Sequence, residues 1–325
     1  MPNFLAKQLQ ILPVGIVGLA FGVCSLGWNF EIFYPLNGYL QTLTTSTALL
    51  IVCLVVLKLF LLPKSFYQLQ LDPAIGPILP TVAMTLMVAS TCFSPLFSLV
   101  VWSIGLVLHL IILGCFIISR VTNFQLAQVS PTWFIPTIGI VIAPLTAPFV
   151  SLSSTPPAIN LLSCAILVFA ILAYFSLLLV VVYRLRTLPS LNSASKPALA
   201  LFSAPPNICL AGYLALSPQP NVVFTTFMIC LAITMTCFSY YTIIKQKGDA
   251  FVPTIGAFTF PLIIGAAAMR VTAEWIQNST GVFQFLHAVF SSLAQMQFLI
   301  ATLITVWICY RYLMFLKNAA VLADK

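Results

Sequence analysis

The sequence predicts an all-α, polytopic membrane protein whose ten transmembrane helices form five helical hairpins around a central pore. Of its 325 residues, 61% are hydrophobic and only 6% are charged, whereas a soluble domain carries about 25% charged residues. Ten apolar runs are long enough to cross a bilayer, and basic residues fall in every second connection between them. With so little charge to face water, the chain is expected to have the lipid bilayer as its main surroundings.

The ten runs use almost the whole chain, so residues 1–325 are expected to form a single membrane domain. A transmembrane helix needs roughly 20 apolar residues. We place the predicted spans at 12–30, 42–62, 75–93, 96–118, 133–151, 158–182, 198–216, 221–244, 252–270 and 284–310. The runs are continuous rather than alternating, and they exceed the roughly 10 residues of a membrane barrel strand, which favours helices.

Basic residues predict the orientation of the spans. When the loops are assigned to alternating sides, one side receives 12 of the 13 basic residues: Lys7, Lys58, Lys64, Arg120, Arg184, Arg186, Lys196, Lys245, Lys247, Arg311, Lys317 and Lys325. The other side receives Arg270, with Glu31 and Glu274. Because cytoplasmic loops are rich in Lys and Arg, we expect a multi-pass protein of the cytoplasmic (inner) membrane with both termini in the cytoplasm. This bias explains the net charge of +8 without a nucleic-acid partner.

The odd-numbered spans differ in kind from the even-numbered ones. The first reads PVGIVGLAFGVCSLGW and the ninth TIGAFTFPLIIGAAAMR, whereas the sixth reads AILVFAILAYFSLLLVVVY. Proline kinks a helix and frees backbone carbonyls, which a membrane tolerates where protein or a cavity surrounds the break. We therefore expect the odd spans inside and the even spans toward lipid. The odd spans begin at intervals of roughly 54–65 residues, a spacing typical of a repeated hairpin.

Residues at these interruptions are the candidates for the lining of the pore: Gly15, Gly18, Pro80, Pro136, Pro205, Phe258 and Pro261. The five acidic residues lie in loops, at helix ends or in the tail. The pore therefore lacks the acidic ring of a cation channel and the intramembrane carboxylate that is typical of proton-coupled transporters. Threonine hydroxyls on the odd spans and the basic cytoplasmic face favour small anions as the transported species.

Three polar residues lie in or near the spans. Arg270 and His109 each have two possible roles, and Lys58 has an expected position. Arg270 is a candidate for the outer pore mouth, or it forms an ion pair with Glu274 one helical turn away. His109, in the middle of the fourth span, is either a polar side chain satisfied between helices or a proton relay. Lys58 is expected to extend its side chain toward the cytoplasmic interface.

The sequence shows no motif for catalysis, a metal or a cofactor. The nine cysteines are scattered through apolar runs without CxxC spacing, which favours buried structural thiols. HExxH, GxSxG and phosphate-binding loops are absent from the sequence, so an enzyme is not expected. A lipid-modifying membrane enzyme is the alternative of a different class, and it would require a polar cluster within the spans.

Four stretches of the sequence carry distinctive patterns. The first span reads LPVGIVGLAFGVCSLGW, with glycines at Gly15, Gly18 and Gly22; the fifth begins PTWFIPTIG, the seventh contains SAPPNICLAGYLAL and the ninth contains GAFTFP. These stretches resemble the first, fifth, seventh and ninth helices of the tellurite-resistance/dicarboxylate transporter family, which includes bacterial TehA, fungal malate permeases and sulfite pumps, and the slow anion channels of plant guard cells. The similarity extends over nearly the whole chain.

The resemblance implies ten helices in five hairpins, a pore lined by the odd helices, and a homotrimer with one pore in each subunit. It also implies that the ring of Phe260 occludes the pore. The expected function is a passive channel or permease for small anions such as chloride, nitrate, malate or sulfite. A gradient-driven transporter of C4-dicarboxylates such as malate, or one related to sulfite or tellurite, is the alternative that the resemblance leaves open.

Overall fold

The computed structural model describes residues 9–62, 75–148, 157–278 and 284–323, and these residues form an all-helical structure without strands. Eight helices in this part of the chain are long and apolar enough to cross a membrane, and two further apolar helices are shorter. In chain order they are α1 (Ile16–Phe33), α2 (Tyr39–Leu61), α3 (Gly76–Cys92), α4 (Pro95–Thr122), α5 (Pro131–Thr146), α6 (Pro157–Thr187), α7 (Lys196–Leu216), α8 (Val222–Gln246), α9 (Pro253–Asn278) and α10 (Gln284–Ala323). The chain is thus a polytopic, all-α membrane protein.

Helix ends differ from the apolar runs where polar residues continue a helix. The predicted span 158–182 lies within Pro157–Thr187, and 284–310 lies within Gln284–Ala323. Apolar length reports the thickness of the bilayer, whereas a helix continues beyond it when its polar side chains reach water. The predicted residues that lie outside the described ranges are Lys7, Lys64, Asp72, Asp324, Lys325 and positions 149–151 of the fifth span.

The even-numbered helices are continuous and exposed. α2, α4, α6, α8 and α10 are uninterrupted α-helices of 23, 28, 31, 25 and 40 residues. Only 22–33% of the residues in their most apolar windows are buried. Large apolar side chains such as Phe60, Val223 and Phe285 point outward and are about four-fifths exposed. An apolar surface of this extent is stable in lipid and not in water.

The odd-numbered helices are more deeply buried, and α3, α5, α7 and α9 contain 3₁₀ interruptions, whereas α1 is a continuous α-helix that begins shortly after Pro13. α7 begins with eight residues of 3₁₀-helix, Lys196–Ser203, and α9 begins with the 3₁₀ stretch Pro253–Phe258. α5 alternates between short 3₁₀ and α stretches along its whole length. In α1, α7 and α9, 61–72% of the residues in the most apolar windows are buried. Prolines explain the breaks, because each one removes a backbone donor and clashes with the preceding turn.

The odd-numbered helices contact one another in a closed circuit. α1 packs on α3, α3 on α5, α5 on α7, α7 on α9, and α9 on α1. Consecutive helices also pack in pairs, α1 with α2, α3 with α4, α7 with α8 and, most extensively, α9 with α10. The odd-numbered helices therefore surround a common centre, and the even-numbered helices lie outside them.

Candidate functional site

A cavity of about 60 Å³ lies at the centre of the interrupted helices. Its lining comprises Gly15, Gly18, Phe21, Ile78, Thr81, Met84, Thr132, Phe134, Ile135, Ile138, Gly139, Ala198, Leu201, Ala204, Pro205, Ile208, Thr254, Gly256, Ala257, Phe260 and Pro261. These residues come from α1, α3, α5, α7 and α9, with Gly15 directly before α1. Within the described ranges, the lining contains neither a charged side chain nor a residue of an even-numbered helix.

Threonine hydroxyls reach the cavity wall, but their protons are engaged within the protein. Thr81 donates to the carbonyl of Ile78 at 2.7 Å, and Thr254 donates to the carbonyl of Ala194. The other hydroxyls expected on the pore lie outside the lining, and Thr259, for example, donates to the carbonyl of Gly256. The wall is therefore uncharged and weakly polar. It suits transient passage of a solute better than tight binding or acid–base chemistry.

Two aromatic rings meet across the cavity. The ring centroids of Phe21 on α1 and Phe260 on α9 lie 4.4 Å apart, with the ring planes at 40°. Phe260 stands where α9 changes from 3₁₀-helix to α-helix, immediately before Pro261. This position aims its side chain at α1 and narrows the cavity. The sequence singled out Phe260, whereas its partner Phe21 was missed because phenylalanines are frequent in apolar helices.

The predicted lining residues divide into two groups. Gly15, Gly18, Pro205 and Pro261 line the cavity together with Phe260. The remaining three candidates, Pro80, Pro136 and Phe258, are buried and lie outside the lining.

Phe258 and Phe260 point in different directions because residues two apart lie on different faces of a helix. In a 3₁₀-helix, side chains three residues apart share a face. Thr254, Ala257 and Phe260 follow this spacing and face the cavity. Phe258 lies outside that series, and its side chain is fully buried on another side of α9.

The backbones of α1 and α9 touch beside the cavity. A methyl group added at Gly256 would lie 2.9 Å from the amide nitrogen of Leu19. One added at Gly15 would lie 2.9 Å from the carbonyl oxygen of Pro253. Glycine is required at both positions because neither backbone neighbour can rotate away.

Side chains of even-numbered helices donate hydrogen bonds to carbonyls of the interrupted segments. Lys58 of α2 donates to the carbonyl of Leu12 at 2.6 Å, directly before Pro13. Trp102 of α4 donates to the carbonyl of Ala143 at 2.9 Å, and Ser239 of α8 to that of Ala200 at 2.7 Å. Tyr312 of α10 donates to the carbonyl of Pro253. These bonds replace partners that the breaks remove, so the outer helices stabilise the irregular inner ones.

His109 belongs to the same set. It is fully buried in α4, and its Nε2 atom lies 3.0 Å from the carbonyl oxygen of Pro136 in α5, to which Nε2–H donates. This interhelical hydrogen bond satisfies Nε2, as one of the two readings of His109 expects, whereas Nδ1 is buried and has no hydrogen-bond partner among the described residues. Lys58, which was expected to extend toward the cytoplasmic interface, is buried, and its ammonium group donates to the carbonyls of Gln10 and Leu12 shortly before α1.

We predict that His109→Leu lowers the free energy of unfolding by about 1–3 kcal/mol, because it leaves the carbonyl of Pro136 without its donor in an apolar environment. His109→Gln is the matched control, since the glutamine amide offers a donor near the position of Nε2 and should recover most of the loss. Thermal unfolding of the purified protein in detergent measures both. Anion flux that varies with pH in the wild type and loses this dependence in His109→Gln would instead make His109 a proton relay.

Arg270 lies away from the central cavity. Its Nε atom is 3.0 Å from a carboxylate oxygen of Glu274, its Nη1 donates to the carbonyl of Ile32, and its guanidinium lies 5.1 Å from the ring centre of Phe33. Arg270, Glu274 and Phe33 line a separate pocket of about 270 Å³ that also includes His287. The ion pair with Glu274 is present, and the side chain ties the end of α1 to α9.

The interrupted inner helices, the lipid-facing outer helices and the uncharged central cavity define a helical membrane protein of the channel and transporter class. The chain matches the SLAC1 family, described as voltage-dependent anion channel, over residues 13–313. It belongs to this family, which includes TehA, the plant slow anion channels and the malate and sulfite permeases. No individual curated protein matches the chain. Membership supports anion transport, and it supports a role as a channel or transporter rather than an enzyme.

Proposed function

We propose that the protein is a passive channel or permease for small anions in the cytoplasmic membrane, with the central cavity as its pathway and Phe260 as the gate. In this proposal, α1 to α10 are ten spans in five hairpins, and both termini lie in the cytoplasm. The observation that carries it is the composition of the cavity wall, which draws on all five odd-numbered helices and carries no charged side chain within the described residues.

The uncharged wall supports an anion pathway with little discrimination. An anion crossing such a wall meets no fixed cation that would bind it tightly and slow its exit. The basic cytoplasmic face supplies a favourable potential without placing charge in the narrow part. Chloride, nitrate, malate and sulfite are the proposed class of substrates.

Contacts among charged loops support the proposed orientation. Arg311 near the end of α10 donates to the carbonyl of Asp249 at 3.0 Å, and Gln246 at the end of α8 donates to that of Lys196 at 3.3 Å. These residues therefore lie at one end of the molecule, together with Lys245 and Lys247. Arg270, Glu274 and the end of α1 form a different cluster. This grouping agrees with the alternation of charge along the sequence.

The narrow, occluded cavity also suits the second candidate, a gradient-driven carrier of malate-like dicarboxylates or of sulfite. We further propose a homotrimer, for which the broad apolar faces of the even-numbered helices offer ample surface within the bilayer. Cross-linking of the protein in native membranes tests the trimer and is independent of the transport assay.

Electrophysiology of the purified protein in planar bilayers tests the proposed function. We expect currents carried by chloride, nitrate, malate and sulfite, with reversal potentials that follow the anion gradient and not the cation gradient. Empty bilayers and bilayers with heat-denatured protein serve as controls. Uptake into proteoliposomes that requires a pH gradient and produces no such current would favour the carrier. Reversal potentials that follow the cation would overturn the anion assignment.

A further inference from the structure

A second cavity, which we call the side pocket, lies behind the gate segment. It has a volume of about 190 Å³ and is lined by Ser193, Lys196, Pro197, Gln246, Asp249, Ala250, Val252, Ile255 and Phe258. The contacts that join α7, α8 and α10 near Lys196 and Asp249 place it at the end that the charges assign to the cytoplasm. The central cavity does not share these residues.

One 3₁₀ stretch, Pro253–Phe258, separates the two cavities. Its three-residue period places Val252, Ile255 and Phe258 toward the side pocket. The same period places Thr254, Ala257 and Phe260 toward the central cavity. The stretch is therefore a wall one helix thick, and any movement of this wall moves Phe260.

The side pocket offers the wall room to retreat. Phe260 rests against Phe21 at 4.4 Å between ring centroids. To separate the rings, the wall must move away from α1, because the close backbone contact at Gly256 blocks movement toward α1. The side pocket lies on the face of the wall that carries Phe258. A molecule bound there would occupy the space into which the wall retreats.

The chemistry of the side pocket favours a small amphipathic anion. Its floor is apolar, since Ile255 and Phe258 are almost fully buried, and its rim carries the exposed ammonium group of Lys196 and the hydroxyl of Ser193. Asp249 also lines the pocket and offsets Lys196, but Lys245, Lys247 and Arg311 in the neighbouring segments make the local charge positive. The volume is below the roughly 300–1,000 Å³ of pockets for drug-sized ligands, which indicates a small molecule.

We propose that the side pocket binds a small carboxylate with an apolar ring or chain, and that the bound molecule holds the wall and Phe260 in the closed position. The carboxylate pairs with Lys196 and the apolar part packs on Ile255 and Phe258. The proposal of closure rests on the proposed gate function, whereas binding does not. A ligand that binds only the closed state shifts the population toward it by mass action.

Benzoate is a suitable probe, and calorimetry on the purified protein in detergent tests binding without any conduction. We expect saturable binding to the wild type and about tenfold weaker binding to Lys196→Gln, because a hydrogen bond to a charged group is lost. Lys247→Gln is the matched control, since it removes one charge from the same end outside the pocket, and its affinity should stay within about twofold of the wild type. If benzoate does not bind the wild type, or if it binds Lys196→Gln and Lys247→Gln with equal affinity, the side pocket is not the proposed binding site.

Closure is tested by two further measurements. Hydrogen exchange of residues 252–260 should slow when benzoate is added to the wild type, and not in Lys196→Gln. Chloride current should fall when benzoate is applied to the cytoplasmic side of wild-type protein and of Lys247→Gln. Ala250→Phe, which places an aromatic side chain at a position that lines the side pocket, should lower the current without any ligand.

The outcomes separate this proposal from the gate proposal. Benzoate that blocks Lys196→Gln as strongly as the wild type acts in the central pathway, and this result would overturn closure through the side pocket. If benzoate binds and slows hydrogen exchange, but Phe260→Ala gains no current, then the side pocket is a binding site and Phe260 is not the gate.

Discussion

Phe260→Ala is expected to raise the anion conductance of the protein by roughly tenfold or more, equivalent to lowering the barrier by about 1.4 kcal/mol. The ring of Phe260 lies 4.4 Å from that of Phe21 across a cavity of about 60 Å³. A constriction formed by two apolar rings excludes water, and a hydrated anion cannot cross it without losing its shell. Removing one ring opens a water-filled path. Single-channel recording in planar bilayers measures the gain.

Phe202→Leu is the control for a loss of ring volume from a buried position of another inner helix. Phe202 of α7 is buried and lies outside the linings of both the central cavity and the side pocket, so its substitution should leave the conductance within about twofold of the wild type. Phe260→Leu, which keeps an apolar side chain of intermediate size, should give an intermediate conductance. If Phe260→Ala conducts no more than the wild type while it remains monodisperse and folded, Phe260 is not the gate.

Phe21→Ala extends the same test to the second ring. Phe21 is almost fully buried, whereas Phe260 is half-buried, so the alanine at position 21 also removes packing within α1. The conductance should rise here as well, and the effects of the two substitutions should not add, because both open the same constriction.

The fold class was predictable because the sequence carries two independent signals. Apolar length gave the spans, and the alternation of proline-containing and proline-free runs indicated which helices are buried. The second prediction is confirmed, because a larger fraction of residues is buried in α1, α7 and α9 than in the even-numbered helices. Both signals are local in sequence, since they depend on the bilayer thickness and on the missing donor of proline.

Contacts between helices were not predictable in the same way. Lys58 and Trp102 look like ordinary interface residues in the sequence, yet each binds a carbonyl on a neighbouring interrupted segment. Their acceptors are backbone carbonyls, which every residue has, so the residue types do not show which carbonyl is bound. Phe258 and Phe260 were both placed on the pore, although residues two apart lie on different faces of an α-helix and of a 3₁₀-helix. Which of the two rings faces the centre depends on how α9 packs against α1, and the sequence alone does not show this packing.

Gly256→Ala is expected to lower the free energy of unfolding by about 1–3 kcal/mol, the usual cost of overpacking a close contact. The added methyl group would lie 2.9 Å from the amide nitrogen of Leu19 and 3.4 Å from the carbonyl carbon of Gly18. Both neighbours are backbone atoms of the first span, so no side chain can rotate to make room. The wall must therefore move away from α1, which separates Phe260 from Phe21 and should produce a leak current. Thermal unfolding and bilayer recording measure the two effects.

Gly114→Ala is the matched control for the same chemical change. Gly114 lies inside the continuous helix α4, and a methyl group there would meet nothing within 4 Å. Alanine is the better helix former, so this substitution should leave the current unchanged and raise stability by up to about 1 kcal/mol. Equal stability of the two variants would show that the backbones of α1 and α9 do not touch. If Gly256→Ala is destabilised but shows no leak current, the backbone contact between α1 and α9 exists but does not control the position of the Phe260 ring.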